Sequence, residues 1–432
     1  MKIVIVHHHL NPGGVTRIIQ SQVSSLRRQF PETDILILTG KMGYPDFFDG
    51  FNVPVDVNLK LDYLLGNAPS ADKLAPLKDD ISGYLREKIS KEDIIHVHNL
   101  NLGKNPALTL AISEMGSDDY NVFNHCHDFA EDRKANMDYL EQVIHGHFGE
   151  NTRSVMYSDR SNYLFGTINA FDRERIIQSG IPAERVIHLP NPVHFEQKSN
   201  LTKEQAKTSI CKTLRLDKKK LLITYPVRVI QRKNIGEMIL FSTIFKDRAN
   251  WLVTMPPKNP QEVIHYDAWK KFCADEKIAI VWEAGTSVDF EELLIATDVC
   301  ISTSMREGFG MAFLEPWLLD TPVMGRNISY VTKDLLDSGV EFPLLYDEVR
   351  IEFEGKMQDF GKLKPEKQKA FIKKINSDYT AIKKVLDMNP KLEKLFGSID
   401  TELIENNKMT IKKEYSLENY ASRLHEIYRK LA

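Results

Sequence analysis

The most informative segment of this sequence is Ser304-Met305-Arg306-Glu307-Gly308-Phe309-Gly310-Met311-Ala312-Phe313-Leu314-Glu315. Two carboxylates, Glu307 and Glu315, flank its Gly-Phe-Gly loop. The apolar run before it, at 299–301, predicts a buried strand, and the run after it, at 311–319, predicts a helix. Backbone N–H groups between a strand end and a helix start favour an anion. The nearby carboxylates favour a ligand that also offers hydroxyls, such as a sugar or a ribose.

Strand and helix patterns alternate through the front half of the chain. Apolar residues at helical spacing predict a helix over 15–30. The stretch 41–93 contains four prolines and is predicted to be irregular, an insertion or a set of loops near a site. Strands are predicted from the apolar runs at 3–6, 34–38, 94–97, 121–123, 154–157 and 185–189. This alternation is typical of a parallel sheet with helices on both faces.

A second alternating unit begins near residue 220. Residues 355–414 are rich in lysine and glutamate and are predicted to be mostly helical. The strands of this unit are predicted at 220–224, 251–254, 278–282 and 299–301. The sequence therefore predicts an α/β protein of two doubly wound, Rossmann-like domains that face a central cleft. The predicted domains are residues 1–195 and 196–414, and residues 415–432 form a further amphipathic helix.

Composition excludes several classes of protein. A chain of 432 residues exceeds the usual size of a single core. Its net charge of −3 gives no indication of a nucleic-acid-binding surface. The four cysteines are scattered without a Cys-x-x-Cys pair, so neither a disulfide framework nor a structural zinc site is predicted. No apolar stretch is long enough for a membrane-spanning helix, and a cytoplasmic protein is expected.

Candidate ligand-binding residues follow two predicted strands of the first domain. The Gly13-Gly14 turn precedes a helix and can bring backbone N–H groups close to a phosphate, although a turn without a ligand is the alternative. The turn is not a Gly-x-Gly-x-x-Gly motif, so nicotinamide dinucleotide binding is disfavoured. His127 and Asp128 can hold a sugar hydroxyl or shield a developing positive centre, although a structural histidine is the alternative. Zinc sites at 7–9 or 125–127 are disfavoured because neighbouring residues of a strand point to opposite faces.

A basic turn follows the first predicted strand of the second domain. Arg228 and Lys233 flank a turn into a predicted helix at 234–244. An arginine and a lysine so placed can converge on a diphosphate, the first through paired contacts and the second as a point charge. By itself this pattern is equally compatible with a solvated basic turn. Likewise, Glu307 and Glu315 alone are compatible with a solvated glutamate and a helix-terminal charge.

Together these residues resemble the retaining, two-domain (GT-B) nucleotide-sugar glycosyltransferases of glycosyltransferase family 4. The resemblance covers most of the chain and is most specific over 297–323, where a strand leads to Glu-Gly-Phe-Gly, a second glutamate and a turn before Pro-Val. It implies that the C-terminal helix crosses back to pack on the N-terminal domain. It also implies an N-terminal domain for the acceptor and a C-terminal domain for the nucleotide sugar.

The resemblance assigns a role to each candidate residue. Catalytic roles fall to His127, Arg228, Lys233 and Glu307: His127 beside the donor sugar, the two basic residues on the diphosphate, and Glu307 on the sugar hydroxyls. Glu315 is implied to hold the ribose. The remaining substrate-binding residues are Gly13, Gly14, Asp128, Asn191, Gly308, Phe309 and Gly310.

This sequence departs from the family pattern at three positions. Pro192 follows Asn191 where the family has glycine, Pro316 follows Glu315 where it usually has alanine, and Asp320 replaces a glycine. Proline strains a helix beyond its first turn, so local geometry is expected to differ here.

The implied reaction moves a hexose from a UDP- or GDP-sugar to an acceptor hydroxyl with retention. Arg228 and Lys233 would replace a metal, so no metal or other cofactor is expected. The alternatives are a sugar-nucleotide epimerase or phosphorylase on the same scaffold, or a non-catalytic sugar-nucleotide-binding subunit. The acceptor is expected to be a small molecule or a glycan. A charged loop at 128–152, with Asp132, Arg133, Lys134 and His147, can suit a phosphorylated or carboxylated acceptor, but a solvated surface explains these charges as well. Membrane association is compatible with the sequence but not indicated by it.

Overall fold

The computed structural model describes residues 1–43, 48–64, 71–195, 198–397 and 399–432. The chain divides into two compact units: unit 1 is Met1–Pro192 with Tyr415–Ala432, and unit 2 is Val193–Glu414. Each unit is built on its own parallel sheet, so the predicted α/β class with two doubly wound halves is confirmed.

Unit 1 contains a seven-stranded sheet in the order β3-β2-β1-β4-β5-β6-β7. Its strands are β1 (Lys2–His7), β2 (Asp34–Thr39), β3 (Val55–Val57), β4 (Ile94–His98), β5 (Asn121–Cys126), β6 (Tyr163–Thr167) and β7 (Val186–His188). All adjacent strands pair in parallel. The order reverses at β1, and the loops after β1 and β4 therefore flank the switch point where such sheets bind ligands.

The helices of unit 1 cover both faces of this sheet. They are α1 (Gly14–Gln29), α2 (Ala71–Lys88), α3 (Pro106–Ser117), α4 (Lys134–Leu140), α5 (Thr152–Met156) and α6 (Ala170–Gln178). One face packs against α2 and α3, and the other packs against α1, whose residues Ile19, Val23 and Leu26 are fully buried. These residues recur at helical spacing, which confirms the helix predicted over 15–30.

Unit 2 contains a five-stranded parallel sheet in the order β12-β11-β10-β8-β9, and an antiparallel β13-β14 hairpin. In chain order its elements are α7 (Lys203–Leu214), β8 (Leu221–Arg228), α8 (Ile235–Ile244), β9 (Ala249–Met255), α9 (Pro260–Asp275), α10 (Ala284–Ser287), α11 (Phe290–Ala296), β10 (Val299–Ser302), β11 (Val323–Arg326), α12 (Ser329–Asp337), β12 (Leu345–Tyr346), β13 (Arg350–Phe353), β14 (Lys356–Asp359), α13 (Pro365–Asn376), α14 (Tyr379–Met388) and α15 (Thr401–Glu414).

The last helix, α16 (Leu417–Leu431), belongs to unit 1 although it follows unit 2 in the chain. Its buried residues Tyr420, Leu424 and Tyr428 pack in the same core as α1 and one face of the sheet. The expected return of the C-terminal helix to the N-terminal unit is thus observed. No helix within the described residues is long and apolar enough to cross a membrane.

Two predictions for unit 1 were wrong. Residues 154–157 were expected to form a strand but lie in and just after α5, because Asn151 caps that helix by accepting a hydrogen bond from the Ser154 backbone N–H at 3.0 Å. The strand of this region is β6. The region 41–93 is more regular than expected, since it supplies β3 and the 18-residue helix α2. Pro45 and Pro69 lie outside the described residues.

Two predictions for unit 2 also failed. Residues 278–282 make only an isolated bridge between Val281 and Leu252 rather than a strand. The helix expected over 311–319 is two short 3-10 helices, Met311–Phe313 and Glu315–Leu319. Pro316 explains the second result, because it cannot donate the backbone hydrogen bond that a continuous helix requires and is tolerated only in a first turn. Glu315 therefore begins a short helix instead of lying on a second turn.

The docking of α16 gives a stability prediction. Replacing the fully buried Leu424 with alanine is expected to lower the free energy of unfolding by about 2–5 kcal/mol, the usual cost of a Leu→Ala cavity. Urea denaturation followed by circular dichroism measures this difference. Glu426→Ala is the control, since Glu426 is exposed on the same helix. Equal stability of the two variants would contradict the packing of α16 described above.

Candidate active site

In unit 2 the basic turn and the glycine loop are hydrogen-bonded to each other. The chain leaves β8 at Arg228, forms a 3-10 turn over Gln231–Lys233, and enters α8 through Asn234. The Thr303 hydroxyl donates to the backbone carbonyl of Lys233 at 3.0 Å, and the Met305 N–H donates to that of Arg232 at 2.9 Å. Because β8 and β10 are neighbours in a parallel sheet, their following loops meet at one edge.

A buried carboxylate ties these two loops together. The Glu307 side chain is 7% exposed and forms ion pairs with two cations. Oε1 accepts a hydrogen bond from Lys233 Nζ, and Oε2 accepts one from Arg232 Nη1 at 2.8 Å. Arg232 also donates to the backbone carbonyl of Arg306 at 2.6 Å. A buried charge requires such partners, so the loop and the turn hold each other in place.

The cations keep Glu307 ionised. Burial by itself would raise the pKa of this carboxyl, but Lys233 and Arg232 outweigh burial and lower the pKa below the ordinary glutamate value. For Lys233, which is 9% exposed, burial lowers the pKa although Glu307 opposes the shift. The site therefore holds an ionised carboxylate between a buried and a half-exposed cation.

The glycine loop continues from Glu307. Phe309 is buried, and Gly310 has φ of 87°, a left-handed conformation in which a Cβ would also lie 2.8 Å from Val331 Cγ1. Gly310 is therefore required by the fold. Glu315 is half-buried where the second 3-10 helix begins, and its charge helps to raise the pKa of Cys300 on β10, a shift that is mainly due to burial.

Arg228 differs from its basic neighbours. Within the described residues, the Arg228 guanidinium makes no ion pair, whereas Arg232 and Lys233 both bind Glu307. It is half-buried at the carboxyl end of β8. A half-buried arginine at a strand end with no carboxylate partner is available for an anionic ligand.

In unit 1 the Gly13-Gly14 turn opens α1 at the carboxyl end of β1. Gly13 is the N-cap residue, and no side chain caps this helix. A Cβ at Gly14 would meet nothing within 4 Å, and one at Gly13 would meet only the Asn11 carbonyl, at 3.7 Å. Packing does not require either glycine, so the turn leaves the first backbone N–H groups of a 16-residue helix open to an anion.

His127 and Asp128 lie just after β5. The Asn99 side chain fixes their backbone, because its Oδ1 accepts hydrogen bonds from the N–H groups of His127 at 2.8 Å and Asp128 at 3.0 Å. His127 is 8% exposed, and its Nε2 lies 3.0 Å from Nδ1 of His98. Asp128 is more exposed and pairs with Arg133 at 2.7 Å. Asn191 is buried next to the end of the first segment of unit 1.

Three buried imidazoles in unit 1 lie close enough to hold a metal ion: His96, His98 and His125 offer ring nitrogens within 4.8 Å of one another. The first two share one face of β4, and His125 pairs with His98 across the sheet. Cys126 points to the other face of the sheet, where it donates a hydrogen bond to Asn101. Residues 125–127 therefore do not share one face, as expected when a zinc site there was disfavoured. Of the six ring nitrogens of His96, His98 and His125, five lie within hydrogen-bonding distance of another side chain, and Nε2 of His125 has no partner among the described residues.

A basic cluster lies at the carboxyl edge of the same sheet. Lys104 follows β4, and its Nζ lies 5.6 Å from the centroid of the Tyr63 ring. His9 packs edge-on against that ring. Burial and the charge of Arg133 both lower the pKa of Lys104. Within the described residues no carboxylate pairs with the Lys104 ammonium, whereas the exposed Lys134 pairs with Asp138 on α4.

Sequence reasoning missed several of these residues. Arg232 was given no role although it adjoins Lys233, because the sequence does not show which of these side chains contacts Glu307. The pattern His96-x-His98 would have shown two imidazoles on one strand face. Asn99 and Lys104 carried no local signal, since only the sheet brings their loops to the site.

Comparison with known proteins agrees with this architecture. No protein-family model matches the chain. Over 323 residues it is 30% identical to the mannosylglucosyl-3-phosphoglycerate synthase of Petrotoga mobilis, a match that covers 72% of this chain and 62% of that protein. The chain thus spans less than two thirds of the length of this relative.

Solved structures share the fold over their whole length. HepE of Anabaena, solved in complex with UDP, superposes with a TM-score of 0.62 at 15% identity, covering 99% of this chain and 100% of that one. A glycosyltransferase from Rickettsia africae gives a TM-score of 0.63 at 15% identity, with 100% and 98% covered. The chain therefore has the GT-B fold of two-domain glycosyltransferases, as predicted.

The ion pairs of Glu307 generate a pH prediction. A carboxyl whose pKa is lowered by folding stabilises the protein above its unfolded pKa, about 4.3 for glutamate, and this contribution is lost as pH falls through the folded pKa. Glu307→Gln removes that contribution. We expect the variant to be less stable than the wild type at pH 7 and to lose less stability between pH 6 and pH 3.

Urea denaturation at several pH values measures both effects. Glu405→Gln is the control, because Glu405 is an exposed glutamate of the same unit. If Glu307→Gln and the wild type showed the same dependence of unfolding free energy on pH, the two ion pairs would not hold Glu307 ionised.

Proposed function

We propose that this chain is a retaining glycosyltransferase that moves a hexose from a nucleotide-diphosphate sugar to an acceptor hydroxyl. The observation that carries the proposal is the Glu307 cluster, in which a buried carboxylate and two cations adjoin a glycine loop at the carboxyl edge of the unit 2 sheet. Two facts support it: the relative from Petrotoga is named as a synthase of a glycosylated compound, and HepE has this fold and was also solved with UDP-glucose.

The proposed division of labour follows the charges. Arg228, without an ion pair in the described residues, and Lys233 would bind the diphosphate. Glu307 would accept hydrogen bonds from sugar hydroxyls, and Glu315 would hold the ribose. Because Glu307 has two cationic partners, Arg232 can keep it neutralised when Lys233 turns to a phosphate. Gly308, Phe309 and Gly310 would contact sugar and phosphate through their backbone.

We propose that residues of unit 1 also contact the donor. The open N–H groups at Gly13 and Gly14 suit a phosphate, and His127 and Asp128 would hold hydroxyls of the donor sugar. Asn191 would contribute near the connection between the units, the place its counterpart has in the resembling family.

The proposed chemistry needs no carboxylate nucleophile. The bond between the anomeric carbon and the leaving phosphate oxygen breaks, and the acceptor oxygen bonds to that carbon on the same face. The acceptor proton passes to the departing diphosphate. Arg228 and Lys233 would stabilise the developing charge, so we expect activity without a divalent metal.

We further propose an anionic, small-molecule acceptor. Lys104 and Arg133 lie at the carboxyl edge of the unit 1 sheet, and the Lys104 ammonium has no carboxylate partner among the described residues. A phosphate or a carboxylate would supply that partner. The name of the Petrotoga protein includes 3-phosphoglycerate, which carries both groups, and so supports this class of acceptor.

The diphosphate role predicts the effect of removing either basic residue. Arg228→Ala and Lys233→Ala are each expected to lower kcat for sugar transfer about 100- to 1,000-fold, the usual effect of losing one group that stabilises transition-state charge. Mass spectrometry of the product formed from UDP- and GDP-sugars, with and without EDTA, measures transfer. Lys218→Ala, on the surface of the same unit, is the control. Near-full activity without Arg228 and Lys233 would overturn their assignment to the diphosphate.

The acceptor proposal predicts a selective change in KM. Lys104→Ala is expected to raise KM for a phosphorylated acceptor about tenfold, the effect of losing one charged hydrogen bond, and to leave KM for the donor unchanged. Lys91→Ala is the matched control. Lys91 also lies over a tyrosine ring of unit 1, with its Nζ 5.9 Å from the Tyr120 centroid, but its side chain is exposed and is not part of the basic cluster. Equal effects of the two substitutions would contradict a role for Lys104 in acceptor binding.

A further inference from the structure

Four imidazoles line one face of two adjacent strands in unit 1. His96 and His98 alternate along β4, and His125 and His127 do so at the end of β5. All four are buried, and only His127 has measurable exposure, 8%. Burial, reinforced by the neighbouring rings, lowers the pKa of each well below the ordinary histidine value. Each ring therefore carries one proton at neutral pH, on one of its two nitrogens.

A chain of hydrogen bonds determines where these protons lie, and it begins at Gln22 on α1. The Gln22 amide Nε2 donates to the Tyr420 hydroxyl at 2.8 Å and faces Nδ1 of His125 at 3.4 Å. In this orientation both amide hydrogens have an acceptor. The amide Oε1 then lies 3.1 Å from Nε2 of His98 and can only accept. With the amide in this orientation, Nε2 of His98 carries the proton. Nδ1 of His125 then accepts, so its Nε2 carries a buried proton that has no partner among the described residues.

The chain continues from His98 to His127. A neutral imidazole that is protonated on Nε2 has a lone pair on Nδ1, so Nδ1 of His98 is an acceptor. It lies 3.0 Å from Nε2 of His127, which must then be the donor. The proton of His127 is thus on Nε2, and its Nδ1 carries a lone pair. Nδ1 of His127 makes no hydrogen bond to another described residue. It is also not enclosed, because it is absent from the fully buried polar atoms that lack a partner.

We propose that Gln22 and His98 are positioning residues that hold His127 in its Nε2-protonated tautomer, so that Nδ1 accepts a hydrogen bond from a substrate hydroxyl. The assignment of a sugar hydroxyl as the donor of that bond rests on the proposed glycosyltransferase function. The tautomer itself rests only on the hydrogen bonds of unit 1. In the other tautomer Nδ1 would carry a proton, so it would donate to the hydroxyl oxygen instead of accepting from the hydroxyl hydrogen.

The other two imidazoles of this face form a second branch, which meets the first at Gln22 through Nδ1 of His125. Nδ1 of His96 lies 2.7 Å from the Tyr428 hydroxyl, and its Nε2 lies 3.3 Å from Nδ1 of His125. Neither bond reaches His127. His96 and His98 are thus a matched pair: both lie on β4, both are fully buried, and each makes two hydrogen bonds, yet only His98 contacts His127.

Nitrogen-15 NMR of protein labelled at histidine tests the tautomer directly. The His127 resonances are assigned by their loss in His127→Gln, and long-range correlations between ring protons and nitrogens show which nitrogen is protonated. We expect Nε2 of wild-type His127 to be protonated at neutral pH. Protonation on Nδ1 would overturn the proposal. So would a metal bound at stoichiometric amount to the purified protein through His96, His98 and His125, because a metal would take nitrogens that the hydrogen bonds require.

Substitution of the matched pair tests positioning. His98→Phe is expected to change the His127 nitrogen shifts toward a mixture of tautomers and to lower kcat about tenfold, the factor for one lost hydrogen bond. His96→Phe is expected to leave both unchanged. Equal changes in the two variants would overturn the proposal, and if neither variant folds, the wild-type spectrum still decides it. A protein with the expected tautomer but no sugar transfer would refute the proposed function and leave the positioning role intact.

Discussion

In a parallel sheet every strand ends at the same edge, and this constraint places all of the candidate chemistry of the chain. Arg228 and the loop of Glu307 follow β8 and β10, which are neighbours in unit 2. His98 and His127 lie at the ends of β4 and β5, which are neighbours in unit 1. In unit 2, Lys233 and Arg232 thus come within hydrogen-bonding distance of Glu307, which lies 74 and 75 positions further along the chain. The alternating fold places the candidate sites at the carboxyl edge of each sheet, and the loops determine which side chains lie at that edge.

The two units stabilise the buried polar groups at the carboxyl edges of their sheets in different ways. Unit 2 buries an ionised carboxylate and compensates it with two cations, so its site is charged and holds its loops by ion pairs. On β4 and β5, unit 1 buries four imidazoles, and no described carboxylate pairs with them, so these rings remain neutral and depend on hydrogen bonds alone. The charged arrangement suits a ligand that brings charge, such as a diphosphate. The neutral arrangement suits hydroxyls, whose hydrogen bonds depend on which nitrogen carries the proton.

The sequence predicted the parts of this fold whose signal is local. Strands with buried runs, such as β1 and β10, and the amphipathic α1 follow from periodicity. The block over 297–323 located Glu307 and Glu315. Sequence failed where one residue changes the local outcome: Asn151 caps a helix in place of an expected strand, and Pro316 divides an expected helix into two short ones. It also could not show that Arg232 shares Glu307 with Lys233, because both side chains lie in the 3-10 turn Gln231–Lys233 and their directions follow from the fold.

Two glycines of the candidate site differ in why a side chain is absent: one is required by the fold, and the other is not. At Gly310 a side chain would strain a left-handed backbone and collide with Val331, so the fold alone explains that glycine. At Gly14 the space is open, φ is not left-handed, and an alanine would favour the start of α1. Nothing within the described part of unit 1 explains the missing side chain. The open space leaves room for an external group to approach the backbone, which agrees with the phosphate contact proposed for this turn, and the uncapped N-terminus of α1 favours an anion in that role.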